Sequence, residues 1–302
     1  MFLPTGDRPN PQNFTPWVNY GLIAANVLIF AAVTVPLSMS GADPDAASTQ
    51  EWMKMALQVT QNPDAVQAAL SNQSAYDMFV YAHGFKPGAM SINDIFSSMF
   101  MHAGFMHIAG NMLFLWIYGD NVEHRLGRMG YLGAYLLAGI AAALFFSALN
   151  LDSLTPMVGA SGAISGVLGL YFFLFPANEV RIFMWIFYYA KTFYLKARWV
   201  LGFYVVWDNL LPMAAGSGGG VAYGAHIGGF IFGLLAGGVA SMVVARPKAR
   251  DGMSRADFHM KMARHRMTQG QDVSAYQHLQ KAMKLDPNLT DEARALMSQI
   301  AQ

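Results

Sequence analysis

The chain contains no cysteine, which excludes a disulfide framework, a cysteine-ligated zinc site and a thiol nucleophile together. Charge is nearly as scarce. Asp, Glu, Lys and Arg make up 12% of the 302 residues, against 54% that are hydrophobic, about half the charged fraction of an ordinary soluble domain. The formal net charge is only +1, and no basic cluster is interleaved with aromatics, so no nucleic-acid partner is expected. A His-Glu-x-x-His helix is also missing, which argues against zinc-dependent hydrolysis built from His102, His107 and His226. Neither a charged n-region nor a nearby small-residue cleavage site accompanies the first apolar run, so that run is expected to stay in the protein.

What the chain does have is long apolar runs. Six stand out: Trp17 to Pro36, Met99 to Gly119, Tyr131 to Leu149, Val158 to Pro176, Trp199 to Leu211 and Ala222 to Ala245. Most reach the ~20 residues that a spanning helix needs, and the fifth is short. The fold class expected is an all-α membrane protein, a six-helix transmembrane bundle with a small soluble helical tail. Ile182 to Tyr194 is also apolar, but Lys191 lies in it and Lys196 and Arg198 follow it, which puts it at the interface. A seventh span there would place the termini on opposite sides.

Lys and Arg set the orientation. With the N-terminus inside, the inside segments hold Arg8, Arg125, Arg128, Arg181, Lys191, Lys196, Arg198 and every basic residue after Ala245, whereas the outside holds only Lys54 and Lys86. The domains expected are a cytoplasmic segment over 1–16, a membrane domain over 17–245 with an outside loop at 37–98, and a cytoplasmic helical tail over 246–302. Within the loop, Ala46 to Ala69 has helical periodicity, with Trp52, Met55, Ala56 and Val59 on one face. The tail predicts helices over Arg255 to Thr268, Val273 to Leu285 and Thr290 to Ala301. Its Ala275-Tyr276 and Leu285-Asp286-Pro287-Asn288 look like half of a tetratricopeptide repeat. A single fragment cannot form such a stack, so partner binding by the tail is a secondary expectation.

Four polar side chains stand in these apolar runs. Ser161 and His226 lie a few residues past the outer starts of spans four and six, which run in the same direction, so they share a depth. His107 and Asn111 sit one helical turn apart in the outer half of span two. Each has an innocent reading alone. A membrane serine usually bonds a preceding carbonyl of its own helix, an asparagine can be an interhelical hydrogen bond, and a histidine, the most suspicious of the three, costs enough to mark function. Glycines favour their meeting. Gly229, Gly233 and Gly237 follow His226 at three- and four-residue spacing, and Gly162, Gly166 and Gly169 answer from span four. Two such bare faces let backbones approach closely.

The chemistry that fits is acyl transfer. An imidazole at His226 can take the proton of Ser161, and Asn111, His107 and the Ser161 N–H can stabilise the oxyanion, a single such donor being worth ~3 to 4 kcal/mol. No carboxylate stands behind His226; Asp208, near the outer end of span five, reads as interfacial. A Ser-His dyad rather than a triad is therefore expected.

The residues also carry a resemblance. His102-x4-His107-x3-Asn111, Glu123-x-Arg125-Leu126-Gly127, Gly159-Ala160-Ser161-Gly162-Ala163 and Ala225-His226-x2-Gly229-x3-Gly233 occur in that order between Asp94 and Gly238, and together they resemble the rhomboid intramembrane serine proteases. The resemblance implies six helices with both ends cytoplasmic, Ser161 as nucleophile, His226 as base, and His107 and Asn111 in the oxyanion hole. It further implies cleavage of transmembrane protein substrates within the lipid bilayer, near their outer end and with no metal and no cofactor, a loop-ordering role for His102, and stabilisation of the cytoplasmic end of span two by Glu123 and Arg125. There are departures. Ile95-Phe96-Ser97-Ser98 replaces the Trp-Arg of many members, and Ser165 stands where some have an aromatic stacked on the base, leaving the support of His226 to another helix. The competing readings are a catalytically silent rhomboid-like protein that binds membrane clients, and a transporter, which would want charged groups near mid-membrane. An N-terminus without an Arg-rich transit segment favours a bacterial inner membrane.

Overall fold

The computed structural model describes residues 2–11, 13–216, 221–243, 255–268 and 272–300 and is mostly helical. Two compact units divide the chain, Met1–Val244 and Ala245–Gln302. In the first, strand β1 (Phe2–Arg8) precedes α1 (Trp17–Ile29), which continues through a π turn at Phe30–Thr34 into α2 (Val35–Ser38). Short helices α3 (Ala47–Thr60), α4 (Pro63–Leu70), α5 (Ala75–His83) and α6 (Ile92–Ser98) lead to α7 (Phe105–Leu126), α8 (Arg128–Leu149) and α9 (Ser161–Leu174). Strands β2 (Glu179–Ile186) and β3 (Tyr189–Lys196) follow, then α10 (Ala197–Val205), a second π turn at Val206–Leu210, α11 (Leu211–Ala214) and α12 (Tyr223–Val243). The second unit holds α13 (Arg255–Thr268), α14 (Asp272–Leu285) and α15 (Thr290–Ile300) around Met260, Ala263, Leu279, Ala282 and Ala293.

Among the described residues, three helices are long and apolar enough to cross a membrane: Trp17–Ser38, Arg128–Leu149 and Tyr223–Val243; Ser161–Leu174 is apolar but shorter. α9 is the hub. All ten residues from Gly162 to Tyr171 are buried, as expected of a helix that is apolar on every side and surrounded by others.

Several boundaries differ from those read off the sequence. The expected span Met99 to Gly119 is displaced toward its C-terminal end, with the helix running Phe105–Leu126. It continues through polar Asp120 to Arg125 because those groups find partners. The Glu123 carboxylate accepts the backbone N–H groups of Val18 and Asn19 at 3.2 and 2.8 Å, capping the first turn of α1, where a negative charge is favoured. Span four is helical only from Ser161. The helix expected over Ala46 to Ala69 breaks in two where Pro63 starts α4, with Gln61 in the left-handed region and the Asn62 side chain accepting from Ala65 N.

The largest departure is a three-stranded antiparallel sheet in the order β1-β2-β3. The apolar run Ile182 to Tyr194 forms most of its hairpin, pairing from Glu179 with Lys196 to Ile186 with Tyr189, and β1, from the polar N-terminal segment, adds to β2. Val180 and Ile182 are buried. At the hairpin tip Trp185, Phe187, Tyr188 and Tyr189 are exposed.

Candidate active site

The site begins at the turn before α9. Gly159 has φ of +127°, which glycine adopts far more readily than other residues. Space demands glycine as well. A Cβ there would lie 2.7 Å from His107 Cε1, 2.8 Å from its Nε2 and 3.4 Å from Ser161 Oγ, so the imidazole and the hydroxyl flank one small gap that Gly159 leaves open. Its N–H donates to Ser98 O at 2.8 Å, which ties the turn to the end of α6. Ser161 then opens α9, where the first backbone N–H groups have no acceptor within the helix.

His226 lies in the first turn of α12, its Nε2 2.8 Å from Ser161 Oγ. The closeness of α9 and α12 is a property of their glycines. A Cβ added at Gly229 would meet Gly162 O at 2.0 Å, one at Gly233 would meet Gly166 O at 2.1 Å, and one at Gly169 would meet Phe230 O at 2.3 Å. No side chain fits at those contacts. Gly237, expected on the same face, meets the Phe173 ring instead.

α7 contributes the third wall. The half-buried His107 sets its ring edge-on to that of fully buried His102, with centroids 5.1 Å apart. One turn on, Asn111 is buried and its Nδ2 has no hydrogen-bond partner. A buried amide donor left unpaired costs about 1 to 3 kcal/mol, and such orphans commonly have a functional reason. The backbone at His102 is gripped by Tyr76, whose hydroxyl accepts from His102 N at 3.1 Å and donates to His102 O at 2.9 Å. Ser161, His226 and His107 are thus gathered around one gap, with Asn111 in the next turn of α7.

One residue of this cluster was not read from the sequence. Nδ1 of His226 lies 2.7 Å from Asn209 Oδ1. Its neighbour Asp208, the acid that the sequence draws attention to, is exposed. Ser165, which cannot stack on the imidazole, instead pairs with the Tyr204 hydroxyl at 3.0 Å. The support of His226 therefore comes from the α10 side. A clue was available: Pro212 lies four residues after Asp208, and a proline at that spacing disturbs the preceding turn of a helix.

Chemically, the cluster is a hydroxyl hydrogen-bonded to an imidazole, with histidine, amide and helix N-terminal donors nearby. Among the described residues no three His, Asp or Glu side chains gather as a metal-ligand set.

The Rhomboid domain family matches residues 90–243. "Rhomboid protein 1, mitochondrial" from Saccharomyces cerevisiae is 31% identical over 170 residues, 52% of this chain and 44% of that protein. "RHOMBOID-like protein 1" from Arabidopsis thaliana is 27% identical over 227 residues, 74% of this chain and 52% of its own. "Rhomboid protease GluP" from Bacillus subtilis is 39% identical over 79 residues, 26% of this chain and 15% of that one. The chain spans about half the length of the first of these curated relatives.

Proposed function

The chain belongs to the rhomboid family, and from that membership and the geometry of the cluster we propose that it is an intramembrane serine endopeptidase cutting transmembrane segments of other proteins. The observation that carries the reading is the 2.8 Å contact between Ser161 Oγ and His226 Nε2. Ser161 Oγ attacks the scissile carbonyl carbon while its proton passes to His226 Nε2. The oxyanion takes hydrogen bonds from Asn111 Nδ2, His107 and the Ser161 N–H. The imidazolium then gives its proton to the departing amine as the C–N bond breaks; water, deprotonated by the same imidazole, attacks the acyl carbon, and the imidazolium returns the proton to Ser161 Oγ as the ester C–O bond breaks. No cofactor takes part.

The bundle we propose has six spans: α1 with α2, α7, α8, α9, α10 with α11, and α12. Both termini lie on the cytoplasmic side, 1–16 as a cytoplasmic segment and 246–302 as a cytoplasmic helical tail that offers a secondary partner surface. At 1.5 Å per residue the 14 residues of α9 cover about 21 Å, short of the ~30 Å hydrocarbon core. With its C-terminal end at the inner boundary, Ser161 lies below the outer surface, and water reaches it from that side. The aromatic girdle supports this placement, since exposed Trp17 begins α1 and Tyr20 stacks on Trp116 at 5.6 Å. The exposed aromatic tip of the β2-β3 hairpin seats at the cytoplasmic interface. The bacterial inner membrane expected from the sequence gains no support from relatives named for mitochondria and chloroplasts.

Purified in detergent and given a single-pass substrate with a helix-weakening outer end, the protein should cut it, and Ser161→Ala and His226→Ala should not. Undiminished cleavage by either variant refutes the assignment. Wild type that binds the segment without cutting it would indicate a silent client-binding protein.

A further inference from the structure

We propose that Asn209 is a third member of the reacting hydrogen-bond chain, a positioning residue that fixes the His226 tautomer and steadies the imidazolium. The inference rests on the serine-protease reading and deepens it.

The direction of the hydrogen bonds follows from the amide itself. Asn209 Nδ2 donates to the carbonyl oxygen of Tyr204 at 2.9 Å, and a carbonyl can only accept, so the orientation of the amide is settled. Oδ1 therefore faces His226 Nδ1 at 2.7 Å, and Nδ1 must carry the hydrogen. The neutral imidazole then has its lone pair on Nε2, 2.8 Å from Ser161 Oγ. That is the tautomer a base needs. When Nε2 takes the serine proton, the same Asn209 oxygen still accepts from Nδ1–H, now on a cation, where a hydrogen bond is stronger.

The backbone around Asn209 is built for this contact. Val206–Leu210 is a π turn, and the N–H of Leu211 reaches back five residues to Val206 O. Pro212 has no N–H for the carbonyl of Asp208, and its ring crowds that carbonyl, which is a cause for widening the turn. Of the five residues in the turn, Asn209 alone is buried, at 2% exposure. Its neighbours Val206, Trp207, Asp208 and Leu210 are exposed. A lipid-side segment that turns its single buried position into a polar one points to function rather than packing. Tyr204, which anchors the amide, is itself tied through its hydroxyl to Ser165, one turn after Ser161. The base is thereby held from the nucleophile's own helix.

The other titratable groups around this chain are His107 on α7, Tyr204 on α10 and exposed Asp208 beside Asn209. None of them lies between Asn209 and His226. A neutral amide holds an imidazolium less strongly than a carboxylate would, so Asn209→Ala and Asn209→Asp should move its proton affinity in opposite directions.

The experiment measures kcat, KM and the pH profile of kcat for wild type, Asn209→Ala and Asn209→Asp on the same single-pass substrate. Fluorophosphonate labelling of Ser161 is followed in parallel, and Ser161→Ala and His226→Ala serve as controls. Losing the acceptor should cost about 10- to 100-fold in kcat with little change in KM, the range of a hydrogen bond to a charged group. The acidic limb of the profile should fall to lower pH in Asn209→Ala and rise in Asn209→Asp, with fluorophosphonate labelling following the same shifts. A purely structural asparagine would leave the limb where it is. Wild-type kcat and an unmoved limb in Asn209→Ala overturn the proposal. If that variant does not fold, an unmoved limb in Asn209→Asp overturns it instead. Cleavage surviving in the two controls would sink the protease reading itself, a separate outcome.

Discussion

Gly229→Ala tests the link between packing and catalysis most directly. The added Cβ would sit 2.0 Å from the carbonyl oxygen of Gly162, where about 3 Å is the closest a carbon and an oxygen tolerate. The oxygen belongs to backbone and the Cβ is fixed rigidly to the backbone of α12, so no rotamer relieves the clash, and α12 and α9 must separate by about 1 Å. Gly162 adjoins Ser161, and Gly229 is one turn from His226. The same displacement therefore stretches the 2.8 Å contact between Oγ and Nε2 to nearly 4 Å, beyond hydrogen bonding. A misplacement of about 1 Å costs on the order of 100-fold in rate, and overpacking costs about 1 to 3 kcal/mol of stability. The assay compares kcat, KM and Tm in detergent, with kcat falling most and KM least. Gly233→Ala has a matching clash, 2.1 Å to Gly166 O, but one turn further from His226, so Tm should fall as much and kcat less. Gly238→Ala, whose Cβ finds only Phe173 ring atoms at 3.8 Å or more, should change neither. Wild-type kcat and Tm in Gly229→Ala would show that the helices are not held at contact and refute the reasoning.

Other consequences can be checked separately. Gly159→Ala should abolish cleavage and slow fluorophosphonate labelling, because its Cβ would enter the gap between His107 and Ser161; retained kcat would contradict this. Asp7 accepts from Asn121 Nδ2 at 2.9 Å and from the Tyr171 hydroxyl. Burial pushes its carboxyl from 3.8 up to about 7, with the Tyr171 hydrogen bond pulling down and Asp120 adding to the rise. Because the folded value exceeds the unfolded one, its stabilisation is full below about pH 4 and is lost as pH rises through about 7. Tm should therefore drop more steeply from about pH 5 to pH 8 in wild type than in Asp7→Asn, and equal slopes would count against the cluster. Since the chain has no cysteine, Ser71→Cys and Tyr188→Cys report topology cleanly. An impermeant maleimide should reach the first in intact cells and the second only after permeabilisation, and the reverse pattern would invert the orientation.

How far the fold could be read in advance depended on the range of the interactions that decide each element. The glycine faces of α9 and α12 were legible because three- and four-residue spacing is a local property of one helix, and it already implied that Ser161 and His226 could touch. The break between α3 and α4 was equally local. Asn62-Pro63 announces it, and the apolar stripe across Trp52 to Val59 obscured it. The sheet was not legible, because β1 carries Pro4 and Gly6, both poor strand residues, and pairs with β2 far along the chain, from Phe2 with Met184 to Arg8 with Glu179. Ile182 to Tyr194 also lacks the alternation that marks a half-buried strand. The Glu123-x-Arg125 motif marked the end of α7, but the continuation of the helix past Gly119 was hidden for a similar reason. Glu123 is tolerable in a buried position only because α1 presents two unpaired N–H groups to it, and nothing near Glu123 in sequence says so. Asn209 falls between these cases. Its neighbour Asp208 drew attention as the nearer approach to a catalytic acid, yet in a straight helix neither residue has a compelling claim on His226. The π turn decides between them by choosing which side chain points inward, and a single proline at Pro212 is its sequence signature. The second support for His226, absent at Ser165, was therefore written in backbone geometry rather than in residue type, which is why a motif built from side chains passed over it.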